Sequence, residues 1–342
     1  MVMVGGAFGQ LVPERLYYGV DQRVPVTVAV PEGFAGELTI RLHSFGSGEV
    51  VAEAAAAEGR ADLASLLPWL WEARSGEVVL AQLYGDGEPI GGPLVIQPLV
   101  TPNTAMLVDP VTMQPSMDPR AKPVFEDERL PVLQRQGLAA SAVREVTYSG
   151  LRVYPEREVV LETTMGDIVF RLRPDAAPNT AFNFLHLVEG GFYTDVLVHR
   201  VVAALPDGRP FVIQFGDLSG TGLGGPGYMV DLEKSSLPHA FGVLSMARAT
   251  DPNSNGSQVF VCLSREGTSF LDGRYTAFGE AVEGADVIRA IASVEVGPND
   301  RPVDPPVVVR AYTRPAPPVG ERPAALSEME RAIETDASDG GR

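Results

Sequence analysis

The 342-residue chain carries 45% hydrophobic and 21% charged side chains, an ordinary globular composition at a length that exceeds one typical domain. Its 44 acidic against 27 basic residues give a formal charge of -17, spread along the whole chain, which argues against a nucleic-acid surface built on clustered Lys and Arg. The single cysteine, Cys262, excludes an intrachain disulfide and reads as a small buried hydrophobe, and no stretch approaches ~18 consecutive apolar residues, so no membrane span is expected.

Residues 1–11 have neither a basic n-region nor an apolar stretch long enough for a signal peptide. A cytoplasmic protein is expected, unless an export signal lies upstream of this start. Residues 1–100 predict a small β-sandwich-like module of immunoglobulin type. Val24, Val26, Val28 and Val30 alternate with other residues, as do Leu38, Ile40 and Leu42, and strands over 77–83 and 93–99 flank the turn Gly85-Asp86-Gly87. A short helix is predicted over 62–71, ending near Pro68, and Trp69 and Trp71 suit core packing better than a ligand platform. The module is a candidate docking point for a protein partner.

Residues 101–156 read as a Pro-rich linker and connecting segment. Pro102, Pro110, Pro115, Pro119, Pro123 and Pro131 forbid a helix or a sheet interior there, while 133–143 suggests a short helix and 146–154 a strand leading onward. A second domain is expected over 157–315. It opens with a hairpin of 159–163 and 168–172, followed by a helix that begins at Pro178 and ends at Gly190-Gly191, and by another helix over 285–292. Residues 316–342 form an acidic, partly disordered tail, with a capping-box pattern at Ser327-Glu328-Met329-Glu330.

The chemistry concentrates between Tyr193 and Asp217. Two strand-like runs, one ending in Arg200-Val201-Val202 and one reading Phe211-Val212-Ile213-Gln214, carry an arginine and a glutamine on otherwise apolar strands. A guanidinium keeps its charge, so Arg200 faces a carboxylate, a cavity or a ligand; a salt-bridged sheet arginine and a functional arginine both satisfy that demand. Downstream come Phe-Gly-Val-Leu-Ser-Met-Ala-Arg over 241–248, Asn-Ser-Asn-Gly-Ser-Gln-Val-Phe-Val over 253–261, and Phe-Leu-Asp-Gly-Arg-Tyr-Thr-Ala-Phe-Gly over 270–279. With these motifs in this order, the region from about 159 to 313 resembles the cyclophilins, the family of peptidyl-prolyl cis-trans isomerases.

The resemblance implies a mainly β chain whose C-terminal part is a closed antiparallel β-barrel with two capping helices, preceded by the β-sandwich-like domain. It implies isomerisation of X-Pro bonds in peptides or unfolded protein clients, assisting protein folding, with no metal and no cofactor. Arg200 would be the catalytic donor, and Gln214 would hold the substrate backbone. Phe211, Val212, Phe260 and Leu271 would grip the proline ring. Gln258, Phe270 and Tyr275 would complete the substrate site, and the backbone at Ala247 and Arg248 would pair with the residue before proline. The rival reading is a catalytically weak proline-peptide binding or chaperone-like module.

Three departures from the family pattern are visible. Residues 203–210 form an insert where about two residues are usual, Tyr275 stands where many members have His, and Phe270 where many have Trp, whose indole N–H serves cyclosporin A binding. The spacing of Gly220, Gly222 and Gly225 matches a dinucleotide-binding fingerprint, but Pro226-Gly227 follows where a helix would have to start. His43, His186, His199 and His239 lack metal-ligand spacing.

Overall fold

The structure, a computed structural model, describes residues 10–73, 76–109, 111–112, 114–118, 120–129 and 147–331. The chain divides into two compact units, the first drawn from residues 1–101, 146–157 and 315–322 and the second from 102–145, 158–314 and 323–342.

In the first unit a six-stranded sheet runs in the order Tyr17–Gly19, Tyr148–Pro155, Glu88–Val100, Val79–Gly85, Leu38–Ser44, Val50–Ala56. A three-stranded sheet joins Gln10–Pro13, Pro25–Ala29 and Gly59–Asp62. Period-two alternation sends Val26 and Val28 inward from the smaller sheet and Ile40, Leu42, Leu94 and Ile96 from the larger, and all six share one buried cluster. The expected sandwich-like core is present. The predicted hairpin turns at Asp86-Gly87, both left-handed at φ 50° and 88°, as a tight two-residue connection requires.

Three local expectations need correction. The single helix over 62–71 is two short ones, Leu63–Leu66 and Trp69–Glu72, because Leu67 precedes Pro68 and leaves the helical region (φ -129°, ψ 73°). Trp69 and Trp71 pack on the core, and the Trp71 indole donates to the Gln22 carbonyl at 3.0 Å. The Ala-rich strand Val50–Ala56 has helical propensity, overridden by six residue pairs with Leu38–Ser44. Tyr148–Pro155, expected to lead into the second domain, lies between Tyr17–Gly19 and Glu88–Val100 inside the first unit's sheet. The start of the predicted tail returns to the same unit, where the Val319 amide donates to Gln82 Oε1 at 3.2 Å and Arg322 pairs with the buried Glu156.

The second unit is built on a nine-stranded antiparallel sheet ordered Thr194–Leu197, Val307–Pro315, Arg157–Thr163, Gly166–Leu172, Ala277–Glu283, Val243–Met246, Val259–Cys262, Pro210–Phe215, Arg200–Ala204. Its first and last strands are separated in the chain only by Val198 and His199. Leu197 and Arg200 are three residue steps apart, a span of at most ~11 Å, so the sheet must curl to bring these strand ends close, a curled, half-barrel form of the barrel that was expected.

Helices Pro178–Glu189 and Ala285–Ala292 both form as predicted. The first begins at Pro178, and the Glu233 carboxylate accepts from the free amides of Asn179 (3.0 Å) and Thr180 (2.6 Å). Its Phe184 meets Phe278 and Tyr193, with Phe215 against Tyr193. Each buried Phe here contributes about 1.5–3 kcal/mol, and together they hold the strand Pro210–Phe215 from within.

The stretch read as an extended linker contains a hairpin, Ala105–Val108 with Lys122–Phe125, whose Ala105 and Phe125 share a buried cluster with Leu232. The predicted helix over 133–143 lies outside the described residues. In the tail, residues 326–331 are helical, but Ser327 is buried and donates to Glu280 Oε1 at 3.1 Å, while Glu328 Oε2 accepts from the Ala325 amide at 3.3 Å. The reciprocal bond thus runs from Ala325 to Glu328, two residues ahead of the predicted Ser327–Glu330 box, and Ser327 bonds Glu280 of another strand.

Candidate active site

Register decides which side chains meet. Arg200 pairs with Gln214, Gln214 with Phe260, and Phe260 with Ser245, so these four lie in one row across four strands and on one face of the sheet. Two residues along, Val202, Val212 and Cys262 form a parallel row on the same face. Ile213 and Phe215 point the other way into the barrel, where both are buried. Hydrophobic packing inside thus fixes the strand that displays Gln214 outside.

The predicted pocket residues come together. Val212, Phe260 and Leu271 are buried in one cluster, with Phe211, Ala247 and Tyr275 packed against it. The Tyr275 ring stands edge-on to Phe260 with centroids 5.8 Å apart, so tyrosine keeps the wall where histidine is common. Phe270, half exposed, stacks on Phe211 at 5.8 Å and an interplanar angle of 15°. Behind Phe260 lies His239, stacked at 6.0 Å, with Nδ1 2.9 Å from Asp272 Oδ1 and Nε2 2.9 Å from Ser245 Oγ. His239 and Ser245 are fully buried, which makes this group a support for the ring. Burial alone would raise the Asp272 carboxyl, but hydrogen bonds from His239 and Arg265 outweigh it and hold the group down at about 2.

A polar chain borders the pocket. Arg200 donates to Gln214 Oε1 at 3.4 Å, Gln214 Nε2 to Gln258 Oε1 at 2.9 Å, and Gln258 Nε2 to the carbonyls of Gly222 (2.9 Å) and Gly224 (2.8 Å). At the other end Arg200 reaches Asp300 Oδ2, also at 3.4 Å. Arg200 thus has a carboxylate partner, as a salt-bridged sheet arginine would, and it adjoins the pocket through Gln214. His199 beside it is buried, and burial lowers its ring below the usual histidine range, so it is neutral at pH 7.

A cleft of about 680 Å³ opens alongside, lined by Gln214, Ala247, Arg248 and Gln258 and by the glycine-rich segment 222–229. That segment wraps a carboxylate of its own chain. Asp217, fully buried, accepts from the amides of Ser219 (2.8 Å) and Gly222 (2.7 Å) and from the Ser219 and Thr221 hydroxyls, and these bonds hold it well below the usual carboxylate range despite its burial. A Cβ on Gly224 would stand 2.0 Å from Asp217 Oδ1, and Gly222 has φ 85°. The glycines serve this internal anion, and the loop amides are not left for a phosphate.

Arg248 is engaged by its side chain, which the sequence did not anticipate. It donates to the Arg274 carbonyl at 3.1 Å and lies over the Tyr275 ring at 4.7 Å. The Ala247 amide is bonded to the Gln258 carbonyl at 2.9 Å.

Sequence reasoning missed Asp300, whose signal was an Asn-Asp pair after Gly-Pro, the residue types that tolerate left-handed turns. It also missed Asn253 Nδ2 donating to the Ala105 carbonyl (2.7 Å) and Arg274 reaching the Arg120 carbonyl (3.3 Å), which join 105–125 to the loops beside the cleft. The insert continues the hairpin: Ala204 pairs with Pro210, the Leu205 and Gly208 amides close the tip, and Arg209 bonds the Glu266 carbonyl at 2.7 Å.

Comparison with known proteins matches residues 158–313 to the family model of the cyclophilin type peptidyl-prolyl cis-trans isomerases. Peptidyl-prolyl cis-trans isomerase-like 1 of Gibberella zeae is 39% identical over 158 residues, which span 45% of this chain and 92% of that protein. A peptidyl-prolyl cis-trans isomerase of Schizosaccharomyces pombe is 41% identical over 158 residues, 45% of this chain and 96% of that one. The chain belongs to the cyclophilin-type peptidyl-prolyl cis-trans isomerases. Among solved structures, a cyclophilin type isomerase of Cryptosporidium parvum, crystallised in the presence of the dipeptide Ala-Pro, is 31% identical, covering 46% of this chain and 98% of that one with a TM-score of 0.42. The cyclophilin match ends where the chain re-enters the first unit, and residues 1–157 lie outside it.

Proposed function

We propose that this cyclophilin accelerates cis-trans interconversion at exposed X-Pro bonds of peptides and unfolded chains, with Arg200 as the donor that stabilises the transition state, and that it assists protein folding. The observation that carries this reading is the register row of Arg200, Gln214 and Phe260 on one sheet face, a fixed cation and an amide beside a buried aromatic floor.

Rotation about the X-Pro bond costs ~18–20 kcal/mol because the amide nitrogen loses conjugation with its carbonyl. In the twisted state that nitrogen is pyramidal and carries a lone pair. An N–H donor of Arg200 aimed at it favours the twisted state over either planar one, which is the condition for catalysis. Lowering the barrier by ~5–7 kcal/mol gives an acceleration of ~10⁴–10⁵ with no covalent step. Phe260, Leu271 and Val212 grip the proline ring by apolar contact. Gln214 has one N–H and one lone pair left after its bonds to Gln258 and Arg200, enough to hold a substrate peptide group. A protein partner for the first unit is the accompanying proposal, since that unit contributes no residue to this row.

The test is Arg200→Ala, assayed by NMR exchange on a short X-Pro peptide. Its side chain is about 40% exposed, so the fold should survive while kcat/KM falls by about a hundredfold or more. A folded variant turning over at the wild-type rate refutes the role of Arg200, and a wild type that binds the peptide without accelerating exchange supports the binding-module alternative.

A further inference from the structure

The carboxylate on Arg200 sits on an unusual piece of backbone. Asn299 and Asp300 are consecutive non-glycine residues in the left-handed region, at φ 61° and 60°. L-residues adopt that region at a cost, and two in succession persist only where surrounding bonds hold them. Those bonds are present. The Gly297 amide donates to the Arg301 carbonyl at 2.8 Å, the Val303 amide to Glu295 at 2.9 Å, and Arg301 to the Gly220 carbonyl in the glycine-rich loop at 2.6 Å.

Stability does not account for the arrangement. The Arg200 and Asp300 side chains are 40% and 46% exposed and 3.4 Å apart, and an ion pair that open to water is worth little. Geometry accounts for it better. One terminal nitrogen of Arg200 bonds Gln214 and the other bonds Asp300, so both ends of a planar guanidinium are held by different strands or turns. A long, partly exposed arginine otherwise samples many rotamers, and only a few would aim a donor at a substrate in the cleft.

We propose that Asp300 is a positioning residue that clamps the Arg200 guanidinium in its working orientation, an inference that rests on the reading of Arg200 as the transition-state donor. The strained turn at 299–300 is the device that presents the carboxylate.

Two substitutions in the full chain separate the carboxylate from the loop. Asp300→Gly removes the clamp while accepting the left-handed backbone without strain, and Asp300→Asn keeps an acceptor oxygen on a residue that tolerates the same φ. Turnover of a minimal X-Pro peptide is followed by NMR exchange, and ¹⁵N relaxation of the Arg200 Nε–H reports the mobility of the side chain. Asp300→Gly should lower kcat by about three- to tenfold with KM nearly unchanged and lower the Arg200 order parameter, while Asp300→Asn restores most of both. An active wild type with Asp300→Gly unchanged in kcat and in relaxation overturns the clamp alone, as does a rise in kcat, which would mean that Asp300 quenches the cation. A wild type without turnover sinks the isomerase reading separately. The clamp then still fails if the relaxation of Arg200 ignores Asp300.

Discussion

Arg200 is held at both terminal nitrogens, by Gln214 on the neighbouring strand and by Asp300. Its carboxylate partner explains why a cation is tolerated on an apolar strand, and its bond to Gln214 carries it into the row that ends on Phe260. Phe270 is the other position where one residue type matters. It is half exposed, stacked on Phe211, and has no N–H to offer. Cyclosporin A should therefore inhibit weakly, and Phe270→Trp should tighten inhibition about tenfold, the worth of one hydrogen bond in a desolvated site. Tight inhibition of the unaltered protein, read as an IC50 in the peptide assay, would contradict this account.

Among the elements, the glycine-rich loop and the insert border the cleft for different reasons. The loop is organised by Asp217. Asp217→Ala leaves the Ser219 and Gly222 amides without their acceptor and should destabilise the second unit by about 1–3 kcal/mol, measured as a shift of its urea midpoint. An unchanged midpoint would show that water replaces the carboxylate freely. The insert is pinned by Arg209 to the Glu266 carbonyl and by Pro210, whose carbonyl accepts from Ser264 Oγ at 2.9 Å, so it stands as an ordered wall on the side of Phe270. Shortening 203–210 to two residues should change the relative kcat/KM among peptides varied before proline and leave turnover of a minimal peptide within about threefold, because Arg200 and Phe260 remain. Identical selectivity profiles would make the insert a passive surface loop. A large gain on every peptide would mean that the natural protein is occluded.

For the whole molecule, pH and unfolding probes should report the two units differently. Asp217 and Asp272, both in the second unit, have carboxyls depressed below the unfolded value of about 3.9, Asp272 to about 2. The stability they add is present above about pH 4 and is lost as pH falls through the folded values. The urea midpoint of the second unit should stay level from pH 7 to about pH 5 and drop between about pH 4 and pH 2, with Asp272→Asn removing part of the drop. A midpoint level down to pH 2 would contradict the shifts. Both tryptophans, Trp69 and Trp71, lie in the first unit, so indole fluorescence follows that unit and the second needs tyrosine near-UV circular dichroism or NMR.

What the sequence determined by itself is whatever depends on short-range pattern. Alternation marked the strands at 24–30 and 38–43, Pro178 and Gly190-Gly191 bounded a helix, Asp86-Gly87 turned a hairpin, and the ordered motifs from Arg200 to Tyr275 identified the isomerase family and a set of residues that the fold gathers on one face. Only the tertiary structure decided the rest, because it depends on partners distant in sequence. Pairing with Leu38–Ser44 made a strand of the Ala-rich 50–56, and the sheet of the first unit claimed Tyr148–Pro155 and residues 315–322. Wrapping around Asp217 turned a nucleotide-like glycine pattern into a support loop. A strained turn a hundred residues beyond Arg200 supplied its carboxylate: local propensity and backbone bonds within 295–303 allow Asn299 and Asp300 to be left-handed, and the long-range bond from Arg301 to the Gly220 carbonyl ties that turn to the glycine-rich loop.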